Sequence, residues 1–210
     1  MATTTSPADD AIVELCASED VAVHRGSEAD VLGRFVVTAR AARADVVVRV
    51  TADCPLIDPG VTDRVVDELT SNATTTDYAS NVLRRTYPRG LDVEAMFLDT
   101  LLRVDRLAVT PEEREHVTIT IRSENPRLFV TRSIESEVDD SDLRWTIDEP
   151  RDLELVSRLY AELGLADRIT PYECVVRYVR ENLHLTHINA GTITWTPSTE
   201  AGSQTEVPPR

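Results

Sequence analysis

The sequence predicts an α/β fold, a three-layer sandwich with a mainly parallel sheet, and three observations lead to this class. Short β-branched runs alternate with helical patterns through most of the chain, which is typical of a sheet covered by helices. The predicted strand at residues 45–51 contains four valines, at positions 46–48 and 50, as in a strand buried on both faces. The length of 210 residues suits one domain with a sizeable core.

Capping residues followed by proline mark helix starts in the first half of the chain. Ser6-Pro7 and Asp58-Pro59 each place a capping side chain before a proline at the first helical position. Gly26 turns the chain out of a short strand. The predicted helices cover residues 8–17, 27–43, 59–70 and 99–107, and the predicted strands cover residues 21–25, 45–51, 77–81 and 92–97.

The second half repeats these signals. Thr110-Pro111 and Thr170-Pro171 are each followed by glutamate at the spacing of a capping box, so each predicts a helix start. Strands are predicted at residues 128–134 and 143–147, and a helix from residue 150 to about 164. Residues 1–190 then form one domain. Residues 191–210, rich in Thr, Ser, Pro and Glu, are predicted to be a disordered tail.

Composition excludes several classes of partner. Acidic residues number 37 and basic residues 22, and the net charge of −15 disfavours nucleic acid and anionic membranes. Every basic residue is arginine, a bias typical either of an acidic proteome in salt or of GC-rich codons. Three scattered cysteines without a CxxC pair argue against a disulfide framework or a zinc site. Without a membrane-length apolar run or signal-peptide pattern, we expect a cytoplasmic protein.

Two carboxylates follow predicted strands. Asp53 comes after the strand at residues 45–51, and Asp148 after the strand at residues 143–147. Ligands of α/β sheets bind at the carboxyl ends of strands, and two carboxylates there would suit Mg²⁺. Spacing by itself favours local roles instead, with Asp53 bonding its own turn and Asp148 capping the next helix.

Cys54 raises the question of a nucleophile. A catalytic thiol needs a base, and none of the four histidines is near it in sequence. A cysteine before proline at a strand end is more often a small buried hydrophobe, and we favour that role.

A polar segment at residues 87–94 suggests a ligand site. Asp92 and Glu94 occupy alternate positions and so face one side of a strand. Buried carboxylates need partners, which favours contact with a polar ligand such as a sugar over a merely solvated strand face. His116, in a helix that starts with acidic residues, either serves that helix or faces a cleft, and the sequence leaves both open.

Long motifs occur in one order between about residues 3 and 190. They occupy residues 25–35, 45–59, 80–81, 85–94, 113–118, 143–152 and 188–190. Together they resemble the acylneuraminate cytidylyltransferase family in its spore-coat polysaccharide biosynthesis type. The resemblance implies a Rossmann-like fold of the nucleotide-diphospho-sugar transferase kind.

The same resemblance implies an activity and a set of residues. The enzyme would join CMP from CTP to an acidic sugar, with Mg²⁺ held by the catalytic pair Asp53 and Asp148. A homodimer would fit relatives of this kind. The implied nucleotide-binding residues are Arg25, Ser27, Asp30 and Arg34. The implied substrate-binding residues are Ser80, Asn81, Arg85, Tyr87, Gly90, Asp92, Glu94, Glu115 and His116.

The sequence departs from the family pattern in two respects. Ala52 stands where the family usually has glycine. The family's first strand and phosphate-wrapping loop are not found, so we expect a sheet without its central strand and weak or no turnover. Three hypotheses remain open at this point: a true cytidylyltransferase whose gene start was assigned too late, a non-catalytic remnant or partner that binds sugar nucleotide, and a glycosyltransferase of similar fold. For the last, Asp140-Ser141-Asp142 has a metal-binding spacing but precedes its strand.

Overall fold

The computed structural model describes residues 1–124 and 126–191. Apart from Gly191, the predicted tail lies outside the described residues, and the division into a domain and a tail stays a prediction. The strands are β1 (Ala2–Thr4), β2 (His24–Gly26), β3 (Val46–Arg49), β4 (Tyr78–Ser80), β5 (Glu94–Phe97) and β6 (Thr131–Ser133). The helices are α1 (Asp10–Ser18), α2 (Val31–Ala41), α3 (Pro59–Ser71), α4 (Leu98–Leu107), α5 (Pro111–His116), α6 (Pro150–Leu163) and α7 (Tyr172–Glu181).

The four-stranded sheet has the order β3-β5-β4-β6. β5 runs antiparallel to both β3 and β4, whereas β4 and β6 are parallel. Three of these four strands therefore point one way, and the sheet is mixed because of β5. The α/β fold class is confirmed. The inverted strand also places Glu94 directly opposite Arg49 in the β3–β5 register.

Helices cover both faces of this sheet. Tyr78 and Met96 belong to a core cluster with α2 and α4, while their neighbours Ala79 and Ala95 belong to a cluster with α3, α6 and α7. Successive strand residues point to opposite faces, so β4 and β5 each contribute to both cores. This arrangement gives the predicted three layers.

β1 and β2 form a separate parallel pair on the same side of the molecule as α2. Helix α2 contacts both strands and shares a core cluster with Val47 of β3. Within the described residues β1 pairs with β2 and β3 pairs with β5, and both β1 and β3 line one cavity of about 630 Å³. The expectation that a first strand and phosphate loop are missing stays a prediction.

The caps predicted for α3 and α5 are confirmed, and the one predicted for α7 is wrong. Thr110 and Glu113 form the predicted capping box, and Asp58 caps α3 through the amide of Val61 at 2.9 Å. The capping box predicted at Thr170 is wrong, because α7 begins at Tyr172 without a side-chain cap from its own segment. The second oxygen of Asp58 accepts from the Tyr172 amide instead, at 2.9 Å.

The predicted strand at residues 143–147 is also wrong. This segment is extended but forms one isolated bridge, between Arg89 and Arg144. The Trp145 amide donates to the Arg89 carbonyl at 2.7 Å, and the Arg89 amide donates to the Leu143 carbonyl at 2.9 Å. Among the described residues, no helix is both long and apolar enough to cross a membrane.

Candidate functional site

The turn after β3 meets the segment before α6. The Thr146 hydroxyl donates to Asp53 Oδ2 at 2.9 Å, and the Ile147 amide donates to the Asp53 carbonyl at 2.8 Å. Asp148 follows directly, so the structure brings the backbones of the two predicted carboxylates together. Asp53 is held by a distant residue rather than by its own turn alone.

Asp148 does not cap the following helix. Glu149 is the N-cap of α6 and forms a capping box with Asp152, whereas Asp148 pairs with Arg144 and remains 54% exposed. The buried Asp152 also accepts from Arg144, at 3.0 Å, and from Asn189, at 2.9 Å. Burial opposes the ionisation of Asp152, but these hydrogen bonds outweigh it and lower its pKa to about 2. Arg144 is therefore fixed beside Asp148 by a carboxylate that stays ionised.

Asp53 and Asp148 are suited to Mg²⁺ when a phosphate-bearing ligand supplies further oxygen atoms. In the described part of the chain, no group of three or more His, Cys, Asp or Glu side chains could hold a metal. Mg²⁺ is commonly bound by one or two carboxylates together with phosphate oxygens and water. Asp53 and the exposed Asp148 fit that pattern, and Mg²⁺ binding stays a prediction.

Cys54 lies buried under the same turn. Its thiol is 3.3 Å from the Thr51 hydroxyl, and burial raises its pKa to about 11. A thiol with that pKa is protonated at neutral pH and is a poor nucleophile. The structure therefore agrees with the packing role favoured from sequence.

Glu94 is the centre of a buried charged network. It pairs with Arg49, accepts from the Tyr78 hydroxyl at 2.5 Å and the Thr118 hydroxyl at 2.6 Å, and lies 3.8 Å from Arg122 Nε. Burial opposes its ionisation, but the two guanidinium groups outweigh that effect and lower its pKa. The Nε atoms of Arg49 and Arg122 are buried and have no hydrogen-bond partner. Glu94 thus holds two cations beside the site, and its contact with substrate stays a prediction.

Arg85 and Asp92 form a second pair close to the same turn. Two parallel hydrogen bonds of 2.6 and 2.7 Å join them. Arg85 also lies within electrostatic reach of Cys54 and Glu94. The structure therefore brings these two predicted substrate residues together near Asp53.

Ser80 and Asn81 hold the loop that carries Asp92. The Ser80 hydroxyl donates to the Val93 carbonyl at 2.7 Å. Asn81 donates to the Leu91 carbonyl at 2.6 Å and accepts from the Val93 amide at 2.9 Å. Both side chains are buried and bonded to backbone. These contacts give them a framework role, and their contact with substrate stays a prediction.

Gly90 and Tyr87 also serve the framework. Gly90 has φ +101°, and a Cβ there would lie 2.7 Å from the backbone of Trp145 and Thr146, so a larger residue would separate the two segments. Tyr87 is fully buried, with its ring 5.4 Å from that of Tyr172.

The predicted nucleotide residues cluster around β2 and the start of α2. Arg25 donates to the carbonyls of Thr4 and Ser6, both at 2.7 Å, and pairs with Asp10. These bonds fix the segment that follows β1.

The other three predicted nucleotide residues follow β2. Ser27 and Asp30 lie before α2, and Arg34 lies in its first turn. Asp30 caps α2 and pairs with Arg114, and the carbonyl of Ser27 accepts from Arg34 at 3.0 Å. Arg34 also lines the cavity between β1 and β3, and its buried Nε has no partner. Arg34 is therefore the predicted nucleotide residue that lies at this cavity.

Glu115 and His116 end α5. Glu115 is exposed and His116 is half-buried. The next residue, Val117, has φ +55°, an unfavourable conformation for a β-branched side chain. This turn directs Thr118 onto Glu94, so the end of α5 is tied to the charged network. Substrate contact by Glu115 and His116 stays a prediction.

Sequence reasoning missed Arg49, Arg122, Arg144 and Thr146. Arg49 carried a usable signal, because an arginine in an otherwise apolar strand needs a buried partner. Thr146 and Arg122 contact residues far away in the chain and gave no local signal, whereas Arg144 pairs with Asp148 and Asp152, four and eight positions on. The pair Asp140 and Asp142 is bound by Arg180, so the structure lends no support to a glycosyltransferase metal motif there.

Comparisons with known proteins agree on one family. A family model described as cytidylyltransferase matches residues 1–163. An uncharacterized protein of Methanocaldococcus jannaschii, MJ1063, is 34% identical over 192 residues, covering 90% of this chain and 76% of that protein. The spore coat polysaccharide biosynthesis protein SpsF of Bacillus subtilis is 29% identical over 178 residues, covering 83% and 72%.

Solved structures show the same fold. A cytidylyltransferase from Leptospira borgpetersenii superimposes with a TM-score of 0.82 at 30% identity, covering 91% of this chain and 79% of that one. A CMP:2-keto-3-deoxy-manno-octonic acid synthetase solved with CTP gives a TM-score of 0.53 at 17% identity, covering 76% and 79%, a likeness of fold only. With its Rossmann-like nucleotidyltransferase fold and a family model that covers most of its length, this chain belongs to the cytidylyltransferase family.

Proposed function

We propose that this chain activates an acidic sugar with CTP, for the biosynthesis of a surface polysaccharide. Family membership carries the reaction class, a CTP-using nucleotidyl transfer. The observation that carries the site is the contact of Thr146 and Ile147 with Asp53, which brings the Asp148 segment to the end of β3. An oxygen of the sugar would attack the α-phosphorus, and pyrophosphate would leave.

The chain's own residues would work by positioning and by charge. Mg²⁺ held by Asp53 and Asp148 would neutralise phosphate charge when bound. Arg49 and Arg122 are both held by Glu94, which lies opposite Arg49 in the β3–β5 register. In a protein of net charge −15, such fixed cations offset the repulsion of a triphosphate and stabilise charge that develops during transfer.

The cavity between β1 and β3 is the proposed nucleotide position. Arg34 and Arg49 both line it, and its wall runs along residues 46–52 to the turn that carries Asp53. The nucleotide would enter beside Arg34 and present its phosphates at Ala52 and Asp53. A cytoplasmic location and a homodimer go with this proposal as expectations.

We also propose that the 210-residue chain by itself turns over slowly or not at all. Strands β1 and β3 border an open cavity rather than a continuous sheet, so the wall beside the phosphates is incomplete. The described residues at that cavity do not include a glycine-rich loop that could cradle phosphates with backbone amides. The same observation favours a second candidate, a non-catalytic partner that binds CMP-sugar.

Calorimetric titration with CTP tests the proposal, with Mg²⁺ and with EDTA. We expect binding that requires Mg²⁺, prefers CTP to ATP and GTP, and is lost in Asp53→Asn. Equal affinity for the three nucleotides, or none for any of them, would contradict a cytidylyltransferase. Pyrophosphate release with a panel of acidic sugars tests the rate, and rapid turnover would overturn the expectation of a slow chain. If the chain binds CMP-sugar but catalyses neither the release of pyrophosphate from CTP nor the reverse reaction, the second candidate function is supported.

A further inference from the structure

A small cavity beside the candidate site contains an arginine that the described structure leaves without an anion. The cavity measures about 320 Å³ and lies between the end of the 87–92 segment, the 141–145 segment, α6, α7 and residues 186–191. Arg89 lines it and is half-buried. Within the described chain its guanidinium makes neither a hydrogen bond nor an ion pair.

Unlike Arg89, the two arginines nearest to it each have an acidic partner. Arg85 is held by Asp92 through two hydrogen bonds, and Arg144 is held by Asp148 and Asp152. Arg89 feels Asp92, but that carboxylate is already bound. Burial and the charge of Arg85 lower the pKa of Arg89, with Arg144 adding to the effect, so its environment disfavours the cation. An anion in the cavity would relieve this cost.

The other charged and aromatic residues of the cavity wall leave Arg89 as its available cation. Trp145 is 1% exposed and contributes its ring to the wall. Asp142 lines the cavity too, but Arg180 binds both of its oxygens, at 2.7 and 2.6 Å. Its negative charge is therefore matched, and it leaves the positive charge of Arg89 available to a ligand.

The backbone that lines this cavity continues to the residue that bonds Asp53. Arg144 pairs with Arg89 across the backbone bridge, and Thr146, two residues on, bonds Asp53. Two extended residues span roughly 7 Å. A sugar ring with its acidic group at Arg89 would thus reach towards Asp53 with its opposite side.

We propose that this cavity is the subsite for the anionic group of the sugar, with Arg89 as the residue that selects acidic over neutral sugars. The inference rests on the proposed function and deepens it. A guanidinium binds a carboxylate through two parallel hydrogen bonds, and among the described residues Arg89 is the guanidinium in this cavity that has no acidic partner. Arg89 and Trp145 lie within the motifs at residues 85–94 and 143–152, but neither is among the substrate-binding residues that the resemblance implies.

Fluorescence titration tests the assignment, because Trp145 reports on this cavity. A Trp195→Phe background leaves Trp145 as the single tryptophan. The probes are N-acetylneuraminate, its uncharged methyl ester, inorganic phosphate and CTP. We expect the acid to bind about 10- to 100-fold more tightly than the ester, the range for a hydrogen bond to a charged group.

Three variants distinguish a loss of the preference for the acid from a loss of the folded structure. Arg89→Gln should lose the preference for the acid while keeping its affinity for the ester and for CTP. Arg89→Lys should keep part of the preference, because a lysine retains the charge but not the planar fork. Arg84→Gln, at a nearby exposed arginine paired with Glu135, should keep all of it. If Arg89→Gln does not fold, Arg89→Lys decides, and an undiminished preference there would overturn the assignment.

Other outcomes would also overturn it. Equal affinity of the unsubstituted cavity for acid and ester would remove the subsite. Phosphate binding as tightly as the sugar acid would make the site a general anion site. A loss of CTP affinity in Arg89→Gln would move the residue to the nucleotide. CTP binding without acid preference would refute only the subsite, whereas acid preference without CTP binding would refute the proposed function.

Discussion

The Thr146 hydroxyl donates a hydrogen bond of 2.9 Å to Asp53 Oδ2, across 93 positions of the chain. This bond orients the carboxylate at the end of β3, and the other oxygen, Oδ1, has a long contact with the Cys54 thiol, at 3.8 Å. The backbone bond from Ile147 to Asp53 then fixes where Asp148 must lie. The relative position of the two proposed metal ligands therefore depends on this contact.

Substituting Thr146→Val should weaken CTP binding in the presence of Mg²⁺ by about 10-fold, because a hydrogen bond to a charged group contributes about 1.5–3 kcal/mol. Valine keeps the shape of threonine, so the fold should persist. Calorimetric titration measures the affinity. Thr70→Val, which removes an exposed hydroxyl bond within α3, is the matched control and should leave CTP binding unchanged. Equal affinities in the two variants would show that Asp53 needs no orientation.

Substituting Gly90→Ala should lower the free energy of unfolding by about 2–4 kcal/mol, since the new Cβ would meet backbone at 2.7 Å in a conformation of positive φ. Gly164→Ala is the control. Gly164 also has positive φ, at +63°, but nothing lies within 4 Å of an added Cβ, so only about 1 kcal/mol should be lost. Urea denaturation measures both. If both variants lose a similar free energy of unfolding, the 145–146 backbone moves aside for the new Cβ without a measurable loss of stability.

Asp152 should make stability depend on acid pH. Its folded pKa of about 2 lies below the ordinary 3.8, so its contribution is present above pH 3.8 and is lost as pH falls through about 2. That shift corresponds to about 2 kcal/mol. Asp152→Asn should therefore be less stable than the parent at pH 7, with a difference that shrinks towards pH 2. Denaturation curves at several pH values check this, and a constant difference would contradict the depressed pKa.

The thiols should differ in reactivity. Burial raises the pKa of Cys54 to about 11, so little thiolate exists at pH 8, while Cys174 is exposed. With Ellman's reagent at pH 8 we expect one rapid reaction, abolished by Cys174→Ser and unaffected by Cys54→Ala. Cys54→Ala should also keep its affinity for CTP. A rapid second reaction, removed by the Cys54 substitution, would reopen the question of a nucleophile.

Many features of this protein could be predicted from local sequence. Helix starts at Asp58-Pro59 and Thr110-Pro111 follow from capping and proline geometry, which act over three or four residues. The alternation of strands and helices predicts an α/β sandwich for the same reason. Asp53 could be singled out as the residue after a buried strand.

Only the tertiary structure decided the order of the strands, the inversion of β5 and the contacts that build the site. Asp58 replaces Thr170 as the cap of α7 across 114 positions, Glu94 binds Arg49 across 45, and Thr146 orients Asp53 across 93. Such bonds depend on which strands become neighbours and on which polar groups are left buried without a partner. Capping and periodicity are properties of a few adjacent residues, so the sequence determined the elements, while the folded chain determined which of their side chains meet.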